Sequence, residues 1–276
     1  MIELKDLTKK FDDFTAVDHL NLTVETGEFF GLLGSNGAGK TTTISMMSTV
    51  LIPTEGGVYI DGELLTRGAS EVKRKISVIT QEYSMRQDMT VEQVMEYQGR
   101  LYYMKRAEIK AKTQELLEFA GLWPYRKRTV RFLSGGMKRK LMICRGLMIE
   151  PEILLLDEPT AGMDALARRQ TWELLRQINR GNLTIILTTH YMEEAETLCD
   201  RVAIINKGKL DIIETPANLI HDLGNFCVDE PEDGRTVSHF FEDRPSAIEY
   251  LQGRSNKALL RSTSLEDVFI ERLKKK

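Results

Sequence analysis

The residues most able to do chemistry are Gly34-Ser-Asn-Gly-Ala-Gly-Lys-Thr41, which fit the pattern G-x-x-x-x-G-K-[ST] and are followed by Thr42. They come after Glu28-Phe-Phe-Gly-Leu-Leu33, an apolar run suited to a buried strand, and before Thr41 to Val50, a helix-like stretch. In that context the pattern carries a mechanism. Glycines let the backbone wrap tightly, so consecutive N–H groups point at phosphates beside a helix N-terminus. Lys40 can reach β- and γ-phosphates, and the Thr41 hydroxyl can ligate Mg²⁺. Gly34, Ser35, Asn36, Gly37, Ala38, Gly39, Lys40, Thr41 and Thr42 are therefore candidates to hold a nucleotide.

Two further motifs narrow the chemistry. Ile153-Leu-Leu-Leu-Asp157-Glu158 ends an apolar strand in two carboxylates. Ligands of open α/β sheets sit at the carboxyl ends of strands. Asp157 is placed to support Mg²⁺, and Glu158 to polarise an attacking water as general base. Alone, Asp-Glu is a common strand ending; beside the glycine loop it marks a nucleotide hydrolase. Leu133-Ser134-Gly135-Gly136-Met137 opens a helix with Ser and two Gly, a second anion site. One nucleotide does not need two such cradles, so the second is expected to close on another subunit's nucleotide.

With Gln81 at a strand end, Ala161-Gly-Met-Asp164 and Thr188-Thr-His190 in order along the chain, the sequence resembles the ATPase subunit of an ATP-binding cassette (ABC) transporter. The motifs span about residues 1–215. The resemblance implies a P-loop NTPase cassette: a RecA-like parallel-sheet core, an N-terminal antiparallel β-subdomain and a helical signature subdomain at about 82–150. It implies that Gln81 contacts Mg²⁺ and senses the γ-phosphate. His190 would bind that phosphate and hold Glu158, Asp164 would communicate across a dimer, and Phe11 would stack on adenine, with Phe14 close by. Ser134, Gly135 and Gly136 would contact the partner's ATP. The cofactors are ATP and Mg²⁺. The implied assembly is a homodimer in the ATP-bound state, peripheral at the cytoplasmic face of the membrane beside an integral membrane permease subunit. Leu133-Ser-Gly-Gly-Met-Lys-Arg139, Thr189-His-Tyr-Met-Glu-Glu-Ala195 and Ser264-Leu-Glu-Asp-Val-Phe269 look like exporters of drugs, antibiotics or polysaccharides.

The elements that must position these groups read as strands alternating with helices, which means an α/β class with a largely parallel sheet. Ile2 to Val24 is strand-like, Thr90 to Ala120 is helical, and Val202 to Ile213 reads as a hairpin at Lys207-Gly208. Of the 12 Met, Met85, Met89, Met95 and Met104 follow Gln81, as core filling or as an adaptable docking groove. Residues 82–103 are the expected docking segment. Lys138-Arg-Lys140 reads as a solvated helix face. The 276 residues divide into a cassette at 1–223 and a small subdomain at 224–276, opening near the acidic, turn-rich Asp229 to Gly234. That subdomain reads as a regulatory or dimer-stabilising appendage, or as a cap on a sheet edge. Lys274-Lys-Lys276 reads as a solvated tail.

Composition excludes other classes. Lys and Arg number 38 against 41 Asp and Glu, too balanced for a dominant nucleic-acid binder. No apolar run approaches the roughly 18 residues of a membrane span. Glu3, Lys5 and Asp6 argue against a signal peptide. Cys144, Cys199 and Cys227 show no metal spacing and read as buried free thiols. Asn206-Lys-Gly-Lys209 lacks the Asp of a guanine reader. The competing readings are a soluble ABC ATPase acting on ribosomes or DNA, and a nucleotide switch without turnover. One cassette, no sustained heptads, and the presence of Glu158 and His190 disfavour both.

Overall fold

The structure is a computed structural model that describes residues 1–179, 181–232, 235–252, 254 and 257–274. The chain begins with β1 (Ile2–Phe11), β2 (Phe14–Val24), β3 (Phe29–Leu33), α1 (Lys40–Met47), β4 (Glu55–Ile60), β5 (Glu63–Leu64), α2 (Ser70–Arg74) and β6 (Ile76–Ile79). Next come α3 (Val91–Leu101), α4 (Arg106–Phe119), α5 (Gly135–Leu147), β7 (Ile153–Asp157), α6 (Ala165–Ile178), β8 (Thr184–Thr189) and α7 (Met192–Leu198). The remainder is β9 (Arg201–Asn206), β10 (Lys209–Glu214), α8 (Pro216–Leu223), β11 (Phe226–Glu232), β12 (Arg235–Phe241), α9 (Arg244–Leu251), β13 (Leu259–Ser262) and α10 (Leu265–Lys274).

Every residue of β3, β7 and β8 is buried, as parallel strands covered on both faces must be. They lie in a six-stranded sheet of order β10-β9-β3-β8-β7-β6, parallel except for β10 at the edge. The register pairs Leu33 with Thr189 and Asp157 with Thr188. Three motif-bearing loops therefore leave the sheet at one end. A second, antiparallel sheet, β2-β1-β4-β5, packs Leu4, Leu7, Leu20 and Val58 against Phe30, Ile44 and Met46.

The helical segment stands between β6 and β7. A reciprocal capping box starts α3: Gln93 N–H donates to Thr90 Oγ1 (3.2 Å), and Thr90 N–H to Gln93 Oε1 (2.8 Å). Met85 and Met95 are core residues, and Met89 and Met104 are partly buried against the same core. The exposed apolar surface here is made instead by Tyr97, Leu101, Tyr102 and Tyr103.

The C-terminal sheet has order β12-β11-β13, with α9 packed on it. Asp229 to Glu232, expected as a turn, is strand; Asp233 and Gly234 lie outside the described residues, as do Lys275 and Lys276. The last helix leaves this sheet: Leu265 and Val268 join the core that contains Ala195 and Leu198. Arg261 anchors the departure, bonding Asp229 Oδ2 at 2.6 Å and Asp267 Oδ2 at 2.7 Å. Burial alone would raise both carboxyls, but hydrogen bonds, foremost from Arg261, outweigh it and hold them below their ordinary range.

Stability from lowered carboxyls is present above their unfolded value near 3.9 and is lost as pH falls through the lower folded values. Arg261→Met strands two mostly buried carboxylates. Discounted for partial exposure, the expected cost at pH 7 is about 2–3 kcal/mol, a drop in Tm of roughly 4–12 °C. In thermal denaturation from pH 7 to 3 the gap between variant and parent should narrow below about pH 4. A gap independent of pH would contradict this anchor.

Candidate active site

The glycine loop is shaped by contacts that exclude side chains. Gly39 has φ 106°, and a Cβ there would lie 2.5 Å from the Ala16 carbonyl oxygen. On Gly34 a Cβ would meet the Ile205 carbonyl oxygen at 2.5 Å. Lys40 is buried and folds back on its own loop, donating from Nζ to the carbonyls of Gly34 (2.8 Å) and Ser35 (3.1 Å). Burial pushes its ammonium pKa down, opposed by Glu158 and Asp157.

Asp157 joins the loop to the sheet. Its Oδ1 accepts from Thr41 Oγ1 at 3.1 Å and from Thr188 Oγ1 at 2.5 Å. Glu158 follows in a left-handed conformation, φ 46°, pinned by its N–H donating to Thr188 O at 3.0 Å. A non-glycine residue held there stores strain, and such strain clusters at active sites. Glu158 Oε1 lies 3.9 Å from Lys40 Nζ and 3.0 Å from His190 Nδ1. The His190 approach lacks hydrogen-bond alignment, which leaves Nδ1 without a bonded partner.

Lys40, Thr41, Glu158 and His190 line a cavity of about 490 Å³. Of the expected site residues it gathers Asn36, Gly37, Gly39, Lys40, Thr41, Thr42, Gln81, Glu158 and His190. Asp157 lies beneath, bonded to Thr41, while Gly34, Ser35 and Ala38 form the loop without lining the space. Hydroxyl, carboxylate and amide oxygens from Thr41, Asp157 and Gln81 are a hard donor set, and they fit Mg²⁺. The aromatic on the cavity wall is Phe14 rather than Phe11, its cross-strand partner in the β1–β2 hairpin. Phe11 lies beside it, with Lys9 Nζ 5.1 Å from its ring centroid.

Ser134, Gly135, Gly136 and Asp164 do not line this cavity. Ser134 caps α5, accepting from Met137 N–H at 3.2 Å, and Asp164 caps α6, accepting from Ala167 N–H at 2.8 Å. The start of α5 is exposed, with Ser134 and Gly135 facing solvent. Residues 17–161 match the protein family described as ABC transporter. The chain belongs to that family.

Relatives extend the match beyond the cassette. A Nod factor export ATP-binding protein I of Burkholderia lata is 37% identical over 290 residues, covering 98% of this chain and 95% of that protein. A linearmycin resistance ATP-binding protein of Bacillus subtilis is 37% identical, covering 81% and 72%. A dimeric ATP-binding cassette solved in a post-hydrolysis state with ADP and Pi has TM-score 0.70 and 28% identity, over 78% of this chain and 98% of that one. This ABC protein is an ATP-binding, ATP-hydrolysing subunit.

One participant contradicts the sequence reading. Arg139, expected on a solvated face, is 1% exposed. It donates to the carbonyls of Thr80 (2.7 Å) and Gln81 (2.9 Å), and so fixes the segment that carries Gln81. Tyr83 Oη donates to Gly135 O at 3.2 Å, a second tie between that segment and α5. The signal lay in helical spacing: Arg139 shares the face of the buried Met142, Ile143 and Gly146. Arg139→Met should remove two charge-assisted bonds and cost about 2–4 kcal/mol. Differential scanning calorimetry should then show Tm lower by roughly 4–16 °C. A shift smaller than about 2 °C would mean that these bonds do not hold the Gln81 segment.

Proposed function

We propose that this subunit powers export through a separate integral membrane partner, acting at the cytoplasmic face as a homodimer that encloses two ATP. The observation that carries the reading is the helix start at Ser134–Gly136, exposed at Ser134 and Gly135, which does not line the chain's own cavity. Each ATP would lie between the glycine loop of one protomer and that helix start of the other. Adenine would rest on the hairpin face of Phe11 and Phe14, and Asp164 would lie at the seam.

Export is supported by relatives named for Nod factor export and linearmycin resistance. A separate membrane partner is supported by the helices: among the described residues none is long and apolar enough to cross a membrane. The exposed Tyr97, Leu101 and Tyr102, with Tyr103, supply an aromatic surface within the 82–103 segment for that partner.

In hydrolysis Glu158 would accept the proton of the attacking water, and His190 would hold Glu158 and the γ-phosphate. Lys40 would exchange its loop carbonyls for phosphate oxygens, and Gln81 would report the γ-phosphate to the docking surface. Mg²⁺, held by Thr41 and Gln81 with Asp157 through water, would supply charge neutralisation at the phosphates.

Ser134→Arg puts bulk and charge at the seam while leaving the chain's own glycine loop intact. The variant should bind ATP normally, fail to dimerise in sedimentation on a hydrolysis-dead background, and lose ATP-driven efflux through the membrane partner. An arginine variant that still dimerises with ATP would remove this helix start from the interface.

A further inference from the structure

Glu194 on α7 is fully buried, yet it has no part in the chemistry described above. Its Oε1 accepts two hydrogen bonds, from Thr160 Oγ1 at 2.8 Å and from Trp172 Nε1 at 3.0 Å. Its Oε2 is buried without a partner. Burial pushes the carboxyl pKa up, against the side chains of Thr189, Thr160 and Trp172 and the charge of Arg168.

The origin of these groups gives the carboxylate its meaning. Thr160 follows Glu158 by two residues. Thr189 immediately precedes His190, and its Oγ1 accepts the Tyr191 N–H at 3.0 Å. Trp172 belongs to α6, the helix capped by Asp164. One interior side chain thus bonds the stem after Glu158 and the helix that lies between that stem and β8, with the hydroxyl of Thr189, the residue before His190, beside it. Burying a carboxylate is costly, and an apolar residue would serve if packing were the only need. Glu158 also occupies a strained φ, which persists only where the surroundings over-determine it.

We propose that Glu194 is a positioning residue for hydrolysis, tying the stems of Glu158 and His190 so that the pair stays 3.0 Å apart. This rests on the reading that Glu158 and His190 form the hydrolytic pair. A loose stem lets the general base drift, and misplacement on the scale of an ångström can cost about 100-fold in rate. Glu194 acts through the pair and touches no nucleotide.

The test is a double-mutant cycle on the full chain, reading turnover, ATP affinity and Tm together. Glu194→Ala should lower turnover about 10–100-fold with the Kd for ATP within about twofold. Glu194→Gln keeps the size and an acceptor oxygen, and should recover most of the rate. In a His190→Ala background, Glu194→Ala should cost little more, because residues acting as a unit are non-additive. Should Glu194→Ala fold poorly, Thr160→Val removes one tie while leaving Glu194 in place, and should lower turnover without changing ATP affinity. Equal losses in both backgrounds, normal turnover in Glu194→Ala or Thr160→Val, or losses that follow a weakened ATP affinity would overturn the positioning role. Normal turnover in His190→Ala alone would overturn the hydrolytic pair, and this proposal with it.

Discussion

A single carboxylate oxygen carries the geometry of the site. Asp157 Oδ1 accepts the hydroxyls of both Thr41 and Thr188, so the glycine loop after β3, the end of β7 and the end of β8 meet on one atom. Parallel pairing brings those strand ends to one edge of the sheet; the shared acceptor fixes their loops in relation to each other. Glu158 inherits its strained backbone from this arrangement, since its N–H is held by Thr188. Hydrogen bonds to an ionised acceptor are about twice as strong as neutral ones, which suits a point where three elements converge.

Around that point the ABC subunit presents two surfaces facing different ways. The loop, Gln81, Glu158 and His190 face one cavity. The start of α5 faces solvent, and it is tied back to the Gln81 segment by Arg139 and Tyr83. A change at Gln81 is therefore mechanically joined to the helix start that would meet another protomer. The C-terminal helix adds a further link: Leu265 N–H donates to Glu196 Oε2 at 3.0 Å, and Glu196 lies on α7, which follows His190.

Much of this was legible in the sequence because the chemistry is local. Gly34 to Thr42, Asp157-Glu158 and His190 each sit at a strand end marked by an apolar run, and β3, β7 and β8 fell where those runs are. What escaped reading depends on three-dimensional neighbours. Arg139 looked like one of three cations on a helix, and only its two carbonyl partners across the fold explain its burial. Met85 and Met95 read equally as core filling or as a docking groove; the fold takes both into the core, Met95 on α3 and Met85 in the loop before it, and leaves tyrosines outside. Phe14 entered the cavity because a hairpin register, invisible in composition, set it opposite Phe11. The strand at Asp229 to Glu232 was masked by its acidic, proline-containing composition, which pairing with β12 along its whole length overrides.

The central claim is that Glu158 is the general base of a site completed by a second protomer. The most direct measurement is turnover together with sedimentation for Glu158→Gln, which preserves size and removes basicity. Turnover should fall about 10²–10⁴-fold, a barrier increase of about 3–5 kcal/mol. ATP binding should persist, and ATP should convert the monomer to a stable dimer. Near-normal hydrolysis, or a chain that stays monomeric with ATP bound, would contradict the claim.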